Sequence, residues 1–298
     1  MTPYRSEPAG RWLGFEHRPG DVVVSTRSKC GTTWMQTICC LLIHQQSELH
    51  APLGELSPWL DWEVEPFDVV RARLDAQVHR RVIKTHVPLA GLPLDPRVTY
   101  IVVVRDPLDV GVSFFHHLRN IDQARMAELR GDVARRPSAA VMTMEAWLDA
   151  WIDDQTDPAA ELDTLPGNLH HLDDAWGRRH QPNVVLARYE DLQHDLDGEM
   201  RRIAARLGLD VPADLWPDLV AATRFDSMRQ RSSTSTPDHL GVLRDRSAFF
   251  RSGVSGEGRA ACSGAQLERY HRRVIELAEP GATAWLRAEP GRAAPHEA

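Results

Sequence analysis

The chain is poor in cysteine, and the few it has are not spaced for cross-links or metal. Its 298 residues contain four, Cys30, Cys39, Cys40 and Cys262, with no C-x-x-C pair and no zinc pattern. A disulfide-built scaffold and a thiolate metal centre are therefore excluded, and reduced thiols in a cytoplasmic setting are expected. Long apolar runs are missing as well. The run ICCLLI at 38–43 falls far short of the ~20 residues a membrane helix needs. The first fifteen residues, MTPYRSEPAGRWLGF, lack the apolar core of a secretory signal. Basic residues are outnumbered, 35 against 42 acidic, for a net charge of −7. That argues against nucleic-acid binding by the whole surface, but leaves room for an anion site built from a local cluster of cations and N–H groups. A standard triphosphate-binding loop is absent too, because Lys29 precedes Gly31 by two residues and no glycine stands five residues earlier.

What is present is ordinary enzyme composition, 42% hydrophobic and 26% charged, in a chain near the upper size limit for one core. The most informative stretch is Asp21–Trp34, DVVVSTRSKCGTTW. Three consecutive valines suit a strand buried on both faces. Trp34, Met35, Ile38, Leu41 and Leu42 then recur at helical spacing. A helix opening directly after a strand offers unpaired N–H groups and a positive dipole end to an anion, and Lys29 adds a point charge. A plain strand–turn–helix connection with a solvated lysine is the competing reading. Cys30 at such a helix start is either a thiolate-prone group or a packed thiol, and Cys39 and Cys40 read as small hydrophobes.

Strand-like runs recur at 21–26, 80–86, 99–106 and 183–191, and helical patterns at 32–45, 107–119 and 197–209. The alternation predicts an α/β fold with a parallel sheet flanked by helices, and ligands at the carboxyl ends of its strands. One domain over 1–287 is expected. Residues 120–180 read as helices and loops on the acceptor side, 229–248 as a mobile loop and 288–298 as a disordered tail.

Chemistry-bearing residues cluster at the predicted strand ends. Lys84 and His86 in VIKTHVP are two apart and share a face of an extended chain. Histidine there can take a proton from a hydroxyl near neutral pH. In YIVVVRDPLDVGVSFFHH, Arg105 ends a buried run, Pro107 opens a helix, and Ser113 lies two turns into it. Arg105 can fork onto a phosphate or pair with Asp106 or Asp109. FFRSGVSGEGR at 249–259 joins Arg251 to glycines that let a backbone approach an anion.

Taken in order, these segments resemble the PAPS-dependent sulfotransferase family, from about residue 20 to 275. TRSKCGTTW stands where the family has approximately TYPKSGTTW, Lys84–Thr85–His86 matches its K-T-H element, and Arg105 to Ser113 matches R-D-P-x-D-x-x-x-S. The resemblance implies a P-loop-like nucleotide-binding sulfotransferase fold and PAPS (3′-phosphoadenosine 5′-phosphosulfate) as donor, with PAP as product and no metal. It implies that Lys29 supports the leaving group. Cys30, Gly31, Thr32 and Thr33 then lie around the 5′-phosphate and Trp34 stacks on adenine. Arg105 and Ser113 hold the 3′-phosphate, and Ser113 also restrains Lys29 until acceptor arrives. His86 is the implied base, with Lys84 near the transferring group. Tyr189 in RYEDL, and Thr223 and Phe225 in ATRFDSM, are implied nucleotide contacts. The last family motif, F-R-K-G-x-x-G-D-W, is altered: Arg251 and Gly253 remain, Ser252 replaces the lysine, and Glu257–Gly258 replaces the acidic–tryptophan pair. Thr26–Arg27 replaces Tyr–Pro.

The stretches 56–94 and 168–184 look most like the mycobacterial glycolipid type, which points to a small-molecule or lipid-linked acceptor. A homodimer and peripheral membrane contact are compatible with this. Trp59, Trp62, Trp147 and Trp151 are read as exposed candidates for an acceptor pocket, against the commoner fate of core packing. Two other classes stay open at this point: an ATP-dependent metabolite kinase, and a non-catalytic PAP-binding module.

Overall fold

The computed structural model describes residues 1–6, 10–131 and 142–291. At its centre lies a parallel sheet of β1 (Val22–Thr26), β2 (Val82–Thr85), β3 (Thr99–Val104) and β4 (Val184–Arg188), in the order β2-β1-β3-β4. The helices that matter for the site are α1 (Thr32–His44), α2 (Pro107–Asn120), α3 (Gln123–Arg130), α4 (Met144–Ile152) and α5 (Leu165–Gly177). Behind them in sequence come α6 (Leu196–Arg206), α7 (Trp216–Thr223), α8 (Gly264–Leu277) and α9 (Pro280–Leu286).

Side chains alternate across the sheet, and the two-residue period divides the core. Val22 and Val24, with Ile101, Val103 and Val185, pack against Met35, Ile38 and Leu42 of α1 and against α6 and α7. Val23, with Tyr100, Val102, Val104 and Leu186, faces the other way, onto Trp12, Leu172, Trp176 and Trp285. Each valine so covered contributes roughly 1.5–3 kcal/mol of burial. This is why the strands read as unbroken apolar runs rather than alternating ones. A third cluster joins Leu108 and Phe114 of α2 to Trp151 of α4, Leu165 and Leu169 of α5 and Tyr270 of α8.

The strand order fixes where a crevice can form. From β1 the chain crosses to β2 on one side, then returns to β3 on the other. Connections leave in opposite directions between the carboxyl ends of β1 and β3, and a ligand crevice opens at such a switch point. Lys29 follows β1 and Arg105 follows β3. The free edge of β2 is covered by residues 58–60: Lys84 N–H donates to the Pro58 carbonyl at 2.9 Å, and Leu60 N–H to the Lys84 carbonyl at 3.3 Å.

Three expectations need correction. The run at 183–191 stays extended only to Arg188, where the guanidinium folds back on Asp191 at 2.6 Å and turns the chain into a short helix, Tyr189–His194. The segment 229–248 is pinned rather than loose: buried Asp238 accepts from the Val242 N–H at 2.6 Å and from Arg246 at 3.2 Å, and Ile121 bridges to Leu243. The start of the tail is docked, with the Ala288 carbonyl accepting from Arg188 at 2.8 Å and Gly291 N–H donating to Asp191 at 3.0 Å. The rest of the tail, 292–298, and residues 132–141 of the acceptor-side region lie outside the described residues. No helix among the described residues is long and apolar enough to cross a membrane.

At the amino ends of β1 and β2 a buried ion pair ties the strands. Asp21 accepts from Arg81 Nε at 2.9 Å and Nη2 at 2.5 Å, and from the Arg18 N–H at 2.8 Å. Burial alone would raise this carboxyl, but hydrogen bonds from His17, Arg81 and Arg18 outweigh it and hold it below its ordinary range. Its contribution to stability is therefore present above pH ~4 and lost as acid protonates it. Asp21→Ala leaves buried Arg81 with exposed Asp75 at 3.6 Å and the Glu16 carbonyl as partners, and urea denaturation at pH 7 should register a loss of about 3 kcal/mol, the low end for breaking a buried pair.

Candidate active site

The loop between β1 and α1 is wound tightly by two residues in the left-handed region, Lys29 at φ 68° and Gly31 at φ 100°. For a non-glycine residue this costs on the order of 1 kcal/mol, a strain that recurs at functional sites. Gly31 is required on a second count, because a Cβ there would stand 2.9 Å from the Tyr189 ring. The first N–H groups of α1 have no acceptor within the helix and face the cavity beside Gly31, Thr32 and Thr33. Lys29 is part-buried, its ammonium 4.2 Å from the centre of the Phe249 ring. Burial, then the charges of Arg105, Lys84 and Arg251, lower its pKa to about 7.

β2 delivers the pair read from K-T-H. Lys84 and His86 both line the cavity, while Thr85 between them points away and donates to buried Asp61. Lys84 Nζ lies 3.7 Å over the Trp59 ring, and Trp59 stands edge-on to His86 at 4.6 Å. His86 Nδ1 meets the Thr26 carbonyl. A carbonyl only accepts, so Nδ1 carries the proton and the neutral ring leaves Nε2 as a bare acceptor. Burial, then Lys84 and Arg27, push this imidazole well below its ordinary pKa. Arg27 donates to the His86 carbonyl and pairs with Asp163 at 2.6 Å. The residue that departs from the family's Tyr–Pro is thus a buried clamp across the ends of β1 and β2.

β3 and α2 supply the next cation. Arg105 is buried, reaches the Val254 carbonyl at 2.9 Å, and lies 4.2 Å from the Tyr189 ring centre. Asp109 is 4.0 Å away and otherwise committed: it accepts from Gly256 N–H at 2.8 Å and Gly258 N–H at 2.7 Å, anchoring the glycine-rich loop on α2. Gly258 has to be glycine, since a Cβ would sit 2.3 Å from the Leu108 backbone. Arg251, Ser252 and Gly253 line the same cavity. Glu257 accepts from Arg251 and, at 2.9 Å, from the Ser252 hydroxyl. Arg105 Nε and Arg251 Nε are buried without a hydrogen-bond partner among the described residues.

Trp34, Tyr189 and Phe225 also line the cavity, Trp34 edge-on to Tyr189 at 5.2 Å. Ser113 lines it too, but the Lys29 ammonium stands over the Phe249 ring, and no Lys29–Ser113 hydrogen bond occurs among the described residues. Two implied contacts point elsewhere. Thr223 is fully buried, its hydroxyl bonded to the Leu219 and Val220 carbonyls, and its own carbonyl accepts from Trp34 Nε1 at 2.8 Å. It therefore positions Trp34 rather than facing the cavity. Cys30 turns into the third core cluster, 3.7 Å from Asn168 Oδ1. Burial raises its thiol to about 12, against smaller opposing effects of Arg105 and Arg27, so it is not thiolate-prone.

The cavity encloses about 850 Å³. Its lining includes an apolar set, Phe114, Leu118, Met126, Leu129 and Leu243, from α2, α3 and the 229–248 segment, beside the polar His117, Arg130 and His239. Trp59 and Trp62 stack in parallel at 5.2 Å on its rim. Trp147 and Trp151 do not reach it; they pack in the core, with their indoles hydrogen-bonded to the Gly111 and Pro107 carbonyls. Sequence reasoning missed Phe249, Glu257 as the partner of Arg251, and the Arg27–Asp163 clamp. One available signal was scarcity: Lys29 and Lys84 are the chain's only two lysines.

Convergent cations, free helix N–H groups and a neutral imidazole around one cavity define a group-transfer enzyme that handles a multiply charged anion. Residues 19–278 match the sulfotransferase domain, and the chain belongs to the sulfotransferase family. It is 39% identical to a glycolipid sulfotransferase of Mycobacterium bovis, over 97% of this chain and 94% of that one. It is 28% identical to sulfotransferase 1A1 of Bos taurus, over 91% and 87%. The fold is shared with a retinol dehydratase solved with androsterone and the inactive cofactor PAP, at a TM-score of 0.70 and 21% identity, covering 92% of this chain and 86% of that one. Mouse sulfotransferase SULT7A1, solved with PAP, gives 0.68 and 21%, covering 95% and 92%. The enzyme is a sulfotransferase, and the kinase reading is dropped.

Cys30 should resist iodoacetamide at pH 7.5 in the native protein and react only on unfolding, as read by mass spectrometry of the 28–34 region. Rapid native labelling there would contradict its burial.

Proposed function

We propose that this enzyme transfers the sulfuryl group of PAPS to a hydroxyl of a glycolipid or another apolar-tailed metabolite. The observation that carries the reading is His86: its Nδ1 proton is held by the Thr26 carbonyl and its bare Nε2 belongs to the cavity where Lys29, Lys84 and Arg105 converge. The residues present suit a nucleotide with two phosphate groups. Arg105 and Arg251 each keep a buried Nε without a described partner, and the start of α1 offers further donors.

PAPS supplies the sulfuryl group and leaves as PAP. The first N–H groups of α1, at Gly31, Thr32 and Thr33, hold the 5′-phosphate, while Arg105 and Ser113 hold the 3′-phosphate. Trp34, Tyr189 and Phe225 flank the base. Arg251 assists while sharing its charge with Glu257, and Ser252 adds a hydroxyl where the family motif has a second cation. Lys29 neutralises charge that grows on the departing phosphate oxygen, and Lys84 does the same at the transferring group. His86 Nε2 takes the proton of the attacking hydroxyl. The Thr26 carbonyl then stabilises the imidazolium through Nδ1–H. Catalysis is positioning and charge stabilisation, as in other loose in-line transfers.

The acceptor assignment draws on the mycobacterial relative named a glycolipid sulfotransferase and on the wall of Phe114, Leu118, Met126, Leu129 and Leu243. The stacked Trp59–Trp62 pair adds an apolar face suited to a sugar ring beside His86.

His86→Ala should slow transfer of radiolabelled sulfate from PAPS by roughly 10²–10⁴-fold with PAP binding by calorimetry kept; normal turnover in that variant would remove His86 as the base. Lys29 gives a second test. An anionic ligand favours its charged form, so PAP raises its pKa above about 7 and takes up a proton on binding. PAP affinity should therefore fall as pH rises from 7 toward 9, and Lys29→Met should abolish that slope. With two lysines in the chain, ¹³C-dimethyl labels read the pKa directly by NMR.

A further inference from the structure

We propose that His44, His50 and His79 form a binding site for a late first-row divalent cation of the zinc type. The three come from separate segments: the last residue of α1, the loop that follows it, and the loop that leads into β2. No regular spacing relates them in sequence. One ring nitrogen from each can be chosen so that all three lie within 4.8 Å of one another. The rings do not stack. Their planes meet at 74–86° with centroids 4.2–6.3 Å apart, edge to face, so it is the ring nitrogens rather than stacked faces that bring the three together.

Three features suit a cation there. His79 Nδ1 lies 2.8 Å from the Arg80 carbonyl, so Nδ1 donates and Nε2 is left as the ligand atom, the outer-shell arrangement that fixes a metal-binding histidine. His44 ends α1, where unpaired carbonyls and the negative dipole end favour positive charge. The donor set is three neutral imidazoles, which selects zinc, nickel or copper over magnesium or calcium. His50 is exposed and the other two are half-buried, so a fourth position stays open to water.

The site lies at the opposite end of α1 from Thr32. The helix is thirteen residues long, roughly 20 Å from end to end. The cation takes no part in sulfuryl transfer. It cross-links the end of α1 to the loops at 45–50 and 76–81, and so braces from behind the helix whose other end faces the cavity.

Untagged protein stripped with a chelator and titrated with zinc chloride should bind one equivalent saturably and melt at a higher temperature. Cobalt(II) at the same site should give the strong visible absorption of a four-coordinate ion. His50→Ala removes an exposed ligand that packs against no core cluster. It should keep the metal-free melting temperature and PAP binding, yet weaken zinc by at least the roughly 10–100-fold that loss of an outer-shell partner costs. His79→Gln should do the same. Absence of saturable binding in the wild type would overturn the proposal, as would unchanged zinc affinity in both variants.

Discussion

Like charges held close together govern this structure. Lys29, Lys84, Arg105 and Arg251 surround one cavity. The partners that hold them there are largely neutral: the Phe249 ring under Lys29, the Trp59 ring under Lys84, and the Tyr189 ring and Val254 carbonyl at Arg105. Aromatic faces and carbonyls can steady a cation without cancelling its charge. The crowding is costly while no anion is bound, and it adds to burial, the larger cause, in lowering the pKa of Lys29. Glu257 on Arg251 is the main exception, and it stands where the chain has lost the lysine of the family motif.

The backbone makes the crowding tolerable. A parallel sheet sends β1 and β3 into the cavity side by side, and the buried Asp21–Arg81 pair ties β1 to β2 at the far end. Asp109 fastens the glycine-rich loop to α2 through two N–H groups, bringing Arg251 and Arg105 to one wall. Arg27 reaches both the His86 carbonyl and Asp163, so the base and the loop that carries Lys29 share one clamp. Aiming of cations and orientation of the imidazole are thus set by the same few hydrogen bonds.

Much of this was legible because it is local. Valine runs marked the strands, the i, i+2 rule put Lys84 and His86 on one face, and Pro107 marked the start of α2. Matching a motif gives a position, however, and not the direction of a side chain. Cys30 and Thr223 sit at family positions, yet one packs into the core and the other serves Trp34 through its carbonyl. Contacts between distant segments were beyond reach. Trp59 meets Lys84 only because residues 58–60 pair with the edge of β2, and Asp163 meets Arg27 from 136 residues away. Trp147 and Trp151 look like the other tryptophans in sequence and are separated from them only by tertiary packing. The three histidines at the end of α1 illustrate the same limit.

The central claim is that the crowded cations serve a nucleotide with two separate phosphates. Calorimetry of PAP and of adenosine 5′-monophosphate on the same wild-type preparation tests it most directly. If Arg105 and Ser113 hold the 3′-phosphate while the start of α1 holds the 5′-phosphate, PAP should bind on the order of 100-fold more tightly, as expected for added charge-assisted hydrogen bonds. Equal affinity for the two nucleotides would contradict the account.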